Sequence, residues 1–262
     1  MMPPPAAMGG VGGSDEGDQS GHTYGVVLVR IDGVPSGRHV TPTDVLRALR
    51  EVRFSGWLTE AEDGWVSAVA SSGGGTVAAG RRGVLGLAEW LAERLALTVL
   101  AIRVLADRQL LVAAWIARRE IGRYVSDPSY GLGEDDDTLP DPLGVEHAAA
   151  LAAACGRPEA AEELTELLAE QLDSESVFES ERLAGILRLL NLPGWLVAAP
   201  SLPHDVPTGP RARDVIRLGA GFQGLLGRIC GPAVDIARRR RPPPPAVVDP
   251  PRAGVDIDPW GL

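Results

Sequence analysis

Three glycines, Gly219, Gly221 and Gly224, spell G-x-G-x-x-G within "DVIRLGAGFQGLLG". That spacing belongs to a turn that cradles the pyrophosphate of a dinucleotide, and the turn works only inside a βαβ unit. A buried strand must precede it, a helix must follow, and a second strand must carry an acid about 20 residues on. Here Arg217 interrupts the short apolar run ahead of the glycines, and "RRRRPPPP" stands where the second strand is required. The expectation is a glycine-containing turn packed closely on its neighbours, with no dinucleotide and no other cofactor.

The remaining candidates are thinner. Glu134, Asp135, Asp136, Asp137 and Asp141 could surround a divalent ion, but the alternation and the distal Glu of a calcium loop are missing, so a solvated loop is expected and no metal. His147 and Cys155 would make a nucleophile pair only if they touched. On one helix they stand about 12 Å apart, which leaves Cys155 as a packed small residue. His22, His39 and His204 fall in loops with no partner visible in the sequence. A glycine run at 73–75 followed by Arg81 and Arg82 precedes a helix start, the composition of an anion cradle, but it lacks the G-K-[ST] of a nucleotide-binding loop. No catalytic residue is assigned. The remaining binding candidates are Arg238, Arg239, Arg240 and Arg241, a compact basic cluster, and Trp260, an aromatic anchor in a polar end segment.

The elements that must position these residues can be read from hydrophobic periodicity. "YGVVLVRI" is a β-rich run at 24–31, and "TPTDVLRALREV" carries a cap, a proline at the first helical position and an acid in the first turn. Asp63-Gly64 separates two aromatic-containing runs, which signals a hairpin. A helix is expected at about 84–97, with Leu87, Trp90, Leu91 and Leu95 on one face. Residues 95–117 are apolar enough to suggest a membrane span. Arg103, Asp107 and Arg108 inside them would each cost about 2.5–3.5 kcal/mol near a bilayer centre. Two strands joined at "ADRQ" fit better, and "EIGRYVS" offers one more.

The order is β-α-β-β-α-β-β, an α+β fold with a mostly antiparallel sheet and helices on one face. Three helical segments follow, "GVEHAAALAAACG", "RPEAAEELTELLAEQL" and "ESERLAGILRLLNLPG". The expected organisation is a disordered tail at 1–23, an α+β domain at 24–127, an acidic linker at 128–144, a helical subdomain at 145–236 and a disordered Arg/Pro-rich tail at 237–262.

The net charge of −10 is unevenly spread: residues 132–181 hold 15 acids and one arginine, hence −14, while residues 211–241 hold eight arginines and two acids, hence +6. The acidic middle argues against nucleic acid there, and the basic stretch suits an acidic partner. Two cysteines without a C-x-x-C exclude a zinc or disulfide scaffold, and the N-terminus lacks a signal-peptide pattern, so a cytoplasmic protein is expected. Together these features favour a non-catalytic protein-interaction protein whose partner is another protein. An enzyme or small-ligand binder with its site at the seam between the α+β and helical parts is the alternative. Nucleic-acid binding through 238–241 is the second alternative, without an accompanying motif.

Overall fold

In the computed structural model, residues 22–32, 40–71, 75–130, 141–170, 178–206 and 208–219 are described. The N-terminal half alternates strands and helices as its periodicity dictates: β1 (Tyr24–Arg30), α1 (Pro42–Glu51), β2 (Gly56–Glu62), β3 (Trp65–Ala70), α2 (Val84–Leu95), β4 (Thr98–Leu105), β5 (Gln109–Ile116) and β6 (Arg119–Val125). Asp63 and Gly64, both at positive φ, form the β2–β3 hairpin turn. That conformation matches the right-handed twist of the flanking strands. With the short strand β7 (Ile216–Leu218), these make a seven-stranded sheet ordered β6-β5-β4-β1-β3-β2-β7, antiparallel at every pairing. The α+β class is thus the observed one.

Both faces of the sheet are buried. Along β1, Val27 and Val29 face one core, while Val26 and Leu28 face the other. Strands β4 and β5 alternate in the same way, with Val99, Ala101, Leu111 and Ala113 on the first face and Leu100, Ile102, Leu110 and Val112 on the second. A strand covered on both sides must be apolar at every position. That is why residues 95–117 imitate a membrane span while forming two sheet strands. No helix among the described residues is long and apolar enough to cross a membrane.

On the first face lie α1 and α2. Helix α1 buries Val45, Ala48 and Leu49, and Thr41 with Asp44 closes a capping box at its start. Helix α2 buries Val84, Leu87, Ala88, Leu91 and Ala92. The expectation of helices on one face holds for these two alone. The second face is covered by α3 (Ala148–Ala154), α4 (Ala161–Ala169), α5 (Glu179–Leu189) and a 3-10 stretch at Gly194–Ser201. Leu151, Leu164, Leu183, Ile186, Leu187 and Trp195 share one apolar cluster with β1, β4 and β5. The apolar stripes of three helices need an apolar partner, and the second sheet face is that partner.

Candidate functional site: a buried polar seam and an acidic groove

Where the sheet meets α5, the apolar packing gives way to a knot of polar side chains. Asp107 sits in the β4–β5 turn, with its own φ and that of Ala106 positive. Thr23 Oγ1 accepts from the Ala106 amide at 2.8 Å, which helps to fix the turn. The Asp107 carboxylate then receives the first amides of α5: Ser180 N donates to Oδ1 at 2.8 Å and Ser180 Oγ to Oδ2 at 3.1 Å, while Glu179 N donates to the Asp107 carbonyl at 3.1 Å. A carboxylate at a helix N-terminus satisfies otherwise orphaned donors and complements the helix dipole. Helix α5 has no side-chain cap of its own, so a turn remote in sequence supplies it.

One turn into α5, Arg182 is buried. It donates to the Tyr124 hydroxyl of β6 and, at 2.6 Å, to the Glu170 carbonyl at the end of α4. Its Nε lies 3.8 Å from Glu179 Oε2, with both side chains 3% exposed, and neither of those two atoms has a hydrogen-bond partner. Burial pushes the Glu179 carboxyl up from its ordinary pKa, while Arg182 and Ser126 pull it down and the neighbouring Asp107 and Asp127 push it up further. Burial also raises Asp107, against the opposing pull of its bonds to Ser180. Burial pushes the Tyr124 phenol up to about 12, with Arg182 acting the other way. Acids with raised pKa beside an arginine and a phenol are ingredients of acid–base chemistry. Here they face inward, and their contacts bolt α5 to the sheet.

Two hollows lie among the helices, one on each side of the sheet. Between α4 and α5 runs an open groove of about 570 Å³, lined by Leu167, Ala169 and Leu189 with Glu163, Glu166, Glu170 and Arg188. A smaller hollow of about 140 Å³ lies between α1 and α2, lined by Asp44, Arg47, Glu51 and Arg94 among others. In the hollow the charges pair with one another, Arg47 with Asp44 at 3.0 Å and Arg94 with Glu51 at 3.2 Å. In the groove, Glu163, Glu166 and Glu170 enter none of the ion pairs among the described residues.

Among the described residues, those singled out from sequence are not brought together. Arg82 turns back on its own loop, Nη1 donating to the Ala79 carbonyl at 2.8 Å, while Arg81 is exposed at positive φ beside it. Gly219 ends β7 at positive φ, and a Cβ there would meet the Phe54 carbonyl oxygen at 2.9 Å. β7 is an antiparallel edge strand on β2, whereas a dinucleotide turn follows a parallel one. Gly221, Gly224, Arg238–Arg241 and Trp260 lie outside the described residues, as do Glu134–Asp137. His147 Nδ1 lies 2.9 Å from the Arg123 carbonyl oxygen. Cys155 is a buried thiol pushed up to about 12 by burial. Sequence reading passed over Asp107, Glu179 and Arg182 as a group. The one signal belongs to Asp107, a charge inside an apolar run at the "ADRQ" connection; nothing in the sequence joins it to Glu179 and Arg182.

No family model, no curated protein and no solved structure matches this chain.

Proposed function

We propose that the protein is a non-catalytic protein-binding protein that engages polypeptide partners through charged surfaces: the α4–α5 groove, and the Arg238–Arg241 cluster with Trp260. The supporting observation is the groove. Its apolar lining residues and its carboxylates, which enter no ion pair among the described residues, suit a segment that offers aliphatic stems tipped with positive charge, as arginine does. Its openness suits a chain lying across it better than an enclosed small molecule. The test is affinity capture with three baits: the full chain, the chain lacking 237–262, and the Glu163→Gln/Glu166→Gln/Glu170→Gln variant. Each is run at low and high salt. A specific polypeptide retained by the full chain at low salt, and lost with one of the altered baits, is the expected result. No polypeptide retained at any ionic strength would sink the reading.

A second reading, a small-ligand site at the seam, has one observation in its favour. Glu179 Oε2 and Arg182 Nε are buried polar atoms without hydrogen-bond partners, and such atoms mark places where a polar ligand or water completes a network. A ligand rising to this role would raise the melting temperature of the wild type and not of Glu179→Gln. A screen of small polar compounds without such a pair of results favours the first reading.

A further inference from the structure

We infer that the α4–α5 groove is the docking site of the chain's own Arg238–Arg241 segment, an inference that rests on reading the groove as a polypeptide-binding surface. Glu163 and Glu166 are spaced i, i+3 on α4 and Glu170 follows its last residue; all three line the groove. Their rise along the helix axis covers about 10 Å. In an extended chain, alternate residues lie about 6–7 Å apart on the same side, so two arginines of a run of four can meet carboxylates spread over that length. Leu167, Ala169 and Leu189 give the lining its apolar part, against which arginine stems can lie. Among the described residues of the lining, three carboxylates stand against Arg188, a balance of −2.

The complement is in the same molecule. The four arginines Arg238–Arg241 follow one another without an acid between them, and they stand at the end of the +6 stretch 211–241. The described chain ends at Gly219 beside β2. The intervening residues 220–237 can reach about 60 Å when extended, twice the roughly 30 Å width of seven strands. Arm and groove share one chain, so their encounter is intramolecular and can populate a weak site that free peptide would not fill. Exposed pairs are weak and screened. The contact is therefore salt-sensitive.

The test uses a fluorescent peptide copying residues 234–246, titrated into the full chain and into the chain lacking 237–262. The truncated chain is expected to bind the peptide at least about threefold more tightly than the full chain, because the arm competes in the latter. Binding should weaken severalfold when salt rises from about 0.05 to about 0.3 M. In the truncated chain, Glu163→Gln/Glu166→Gln/Glu170→Gln should abolish it. An unchanged circular-dichroism melt of that variant shows that exposed glutamines left the fold intact. Three results overturn the inference: no binding to the truncated chain, equal binding by the glutamine variant, or equal binding by full and truncated chains. A full chain that competes only when concentrated, and sediments as a dimer, assigns the arm to a second copy and overturns the intramolecular form. If the peptide binds as expected while affinity capture retains no partner, the contact stands and the wider reading of a protein-binding protein falls.

Discussion

The two helical layers of this protein are attached to one sheet by different means. On the α1–α2 face the contact is apolar, through Val45, Leu49, Leu87 and Leu91 against Val27, Val29, Val99 and Ala113, and α1 closes its own start with Thr41 and Asp44. On the opposite face the core is just as apolar, but the helix ends are held by side chains from elsewhere. Asp107 receives the α5 N-terminus. Arg30 of β1 donates to the Ala154 carbonyl at the end of α3 at 3.0 Å. Arg182 donates to the Glu170 carbonyl at the end of α4, and the Trp195 indole N–H reaches Glu62 of β2 at 2.9 Å. Anion at an N-terminus and cation at a C-terminus is the favourable sense of each helix dipole. Helix α1 is specified locally, then, and the second layer by long-range polar contacts that fix which helix end lies over which strand. Non-directional burial alone would leave that placement loose.

The sharpest way to break the comparison is to remove one member of the buried pair. Arg182→Met leaves Glu179 buried without its counter-charge and takes the donor from Tyr124 and the Glu170 carbonyl. A loss of about 3–5 kcal/mol is expected from denaturant midpoints. The double variant Arg182→Met/Glu179→Gln should recover a large part of it, because the uncompensated charge is gone. Leu49→Ala on the first face should cost about 2–5 kcal/mol, with no second substitution that restores it. A double variant no better than Arg182→Met would mean that packing, and not charge, fixes α5.

The cap contrast gives a smaller effect. Thr41→Ala should cost about 1 kcal/mol, the usual worth of a helix cap. Asp107→Ala should cost about 2 kcal/mol, since Ser180 loses an amide acceptor and a hydroxyl acceptor in a buried place. Hydrogen exchange separates the two: Asp107→Ala should speed exchange at the first turn of α5, and Thr41→Ala at the first turn of α1. Equal effects on both helices would mean that the layers open together.

This contrast also explains what could be read in advance. Thr41, Pro42 and Asp44 announce α1 because a capping box is made by residues three apart. Asp63-Gly64 announces its hairpin for the same local reason. The strands of 95–117 were legible because two of their three interior charges, Asp107 and Arg108, fall at the turn between them, while Arg103 lies within β4. The second face was not legible. Helical stripes such as Leu164 with Leu168, or Leu183 with Leu187, show that a helix has a buried side, but not that β1, β4 and β5 lie under it. Asp107 and Ser180 are 73 residues apart, and no spacing rule connects a turn to a helix start at that distance. β7 was hidden too. Three residues with Arg217 in the middle make a poor strand until β2 offers an open edge. The groove carboxylates were visible as charge, and only the fold of α4 against α5 showed which apolar residues line the groove with them.

The smallest expected effect is a change of pH slope, and it tests whether burial or the ion pair governs Glu179. Glu179 and Asp107 have folded pKa values raised by burial. A raised carboxyl binds its proton more tightly in the folded chain than in the unfolded one. Its contribution to stability is therefore fully present below the ordinary carboxyl pKa, about 4, and is lost as pH rises through the elevated folded value. Other carboxylates titrate in the same range, so the informative quantity is the difference between wild type and Glu179→Gln, in which their contributions cancel. The wild type should lose ground against the variant as pH rises from about 4 to about 7, because glutamine stays neutral throughout. The groups facing Glu179 are Arg182, Asp107, Asp127 and Ser126, and of these Arg182 alone opposes the rise with a full charge. Denaturant midpoints in steps across that range decide the matter. A difference that grows in favour of the wild type with pH would show that Arg182 holds Glu179 ionised. The seam would then be stabilised as an ion pair, and the contrast with the apolar first face would be one of charge as well as of caps.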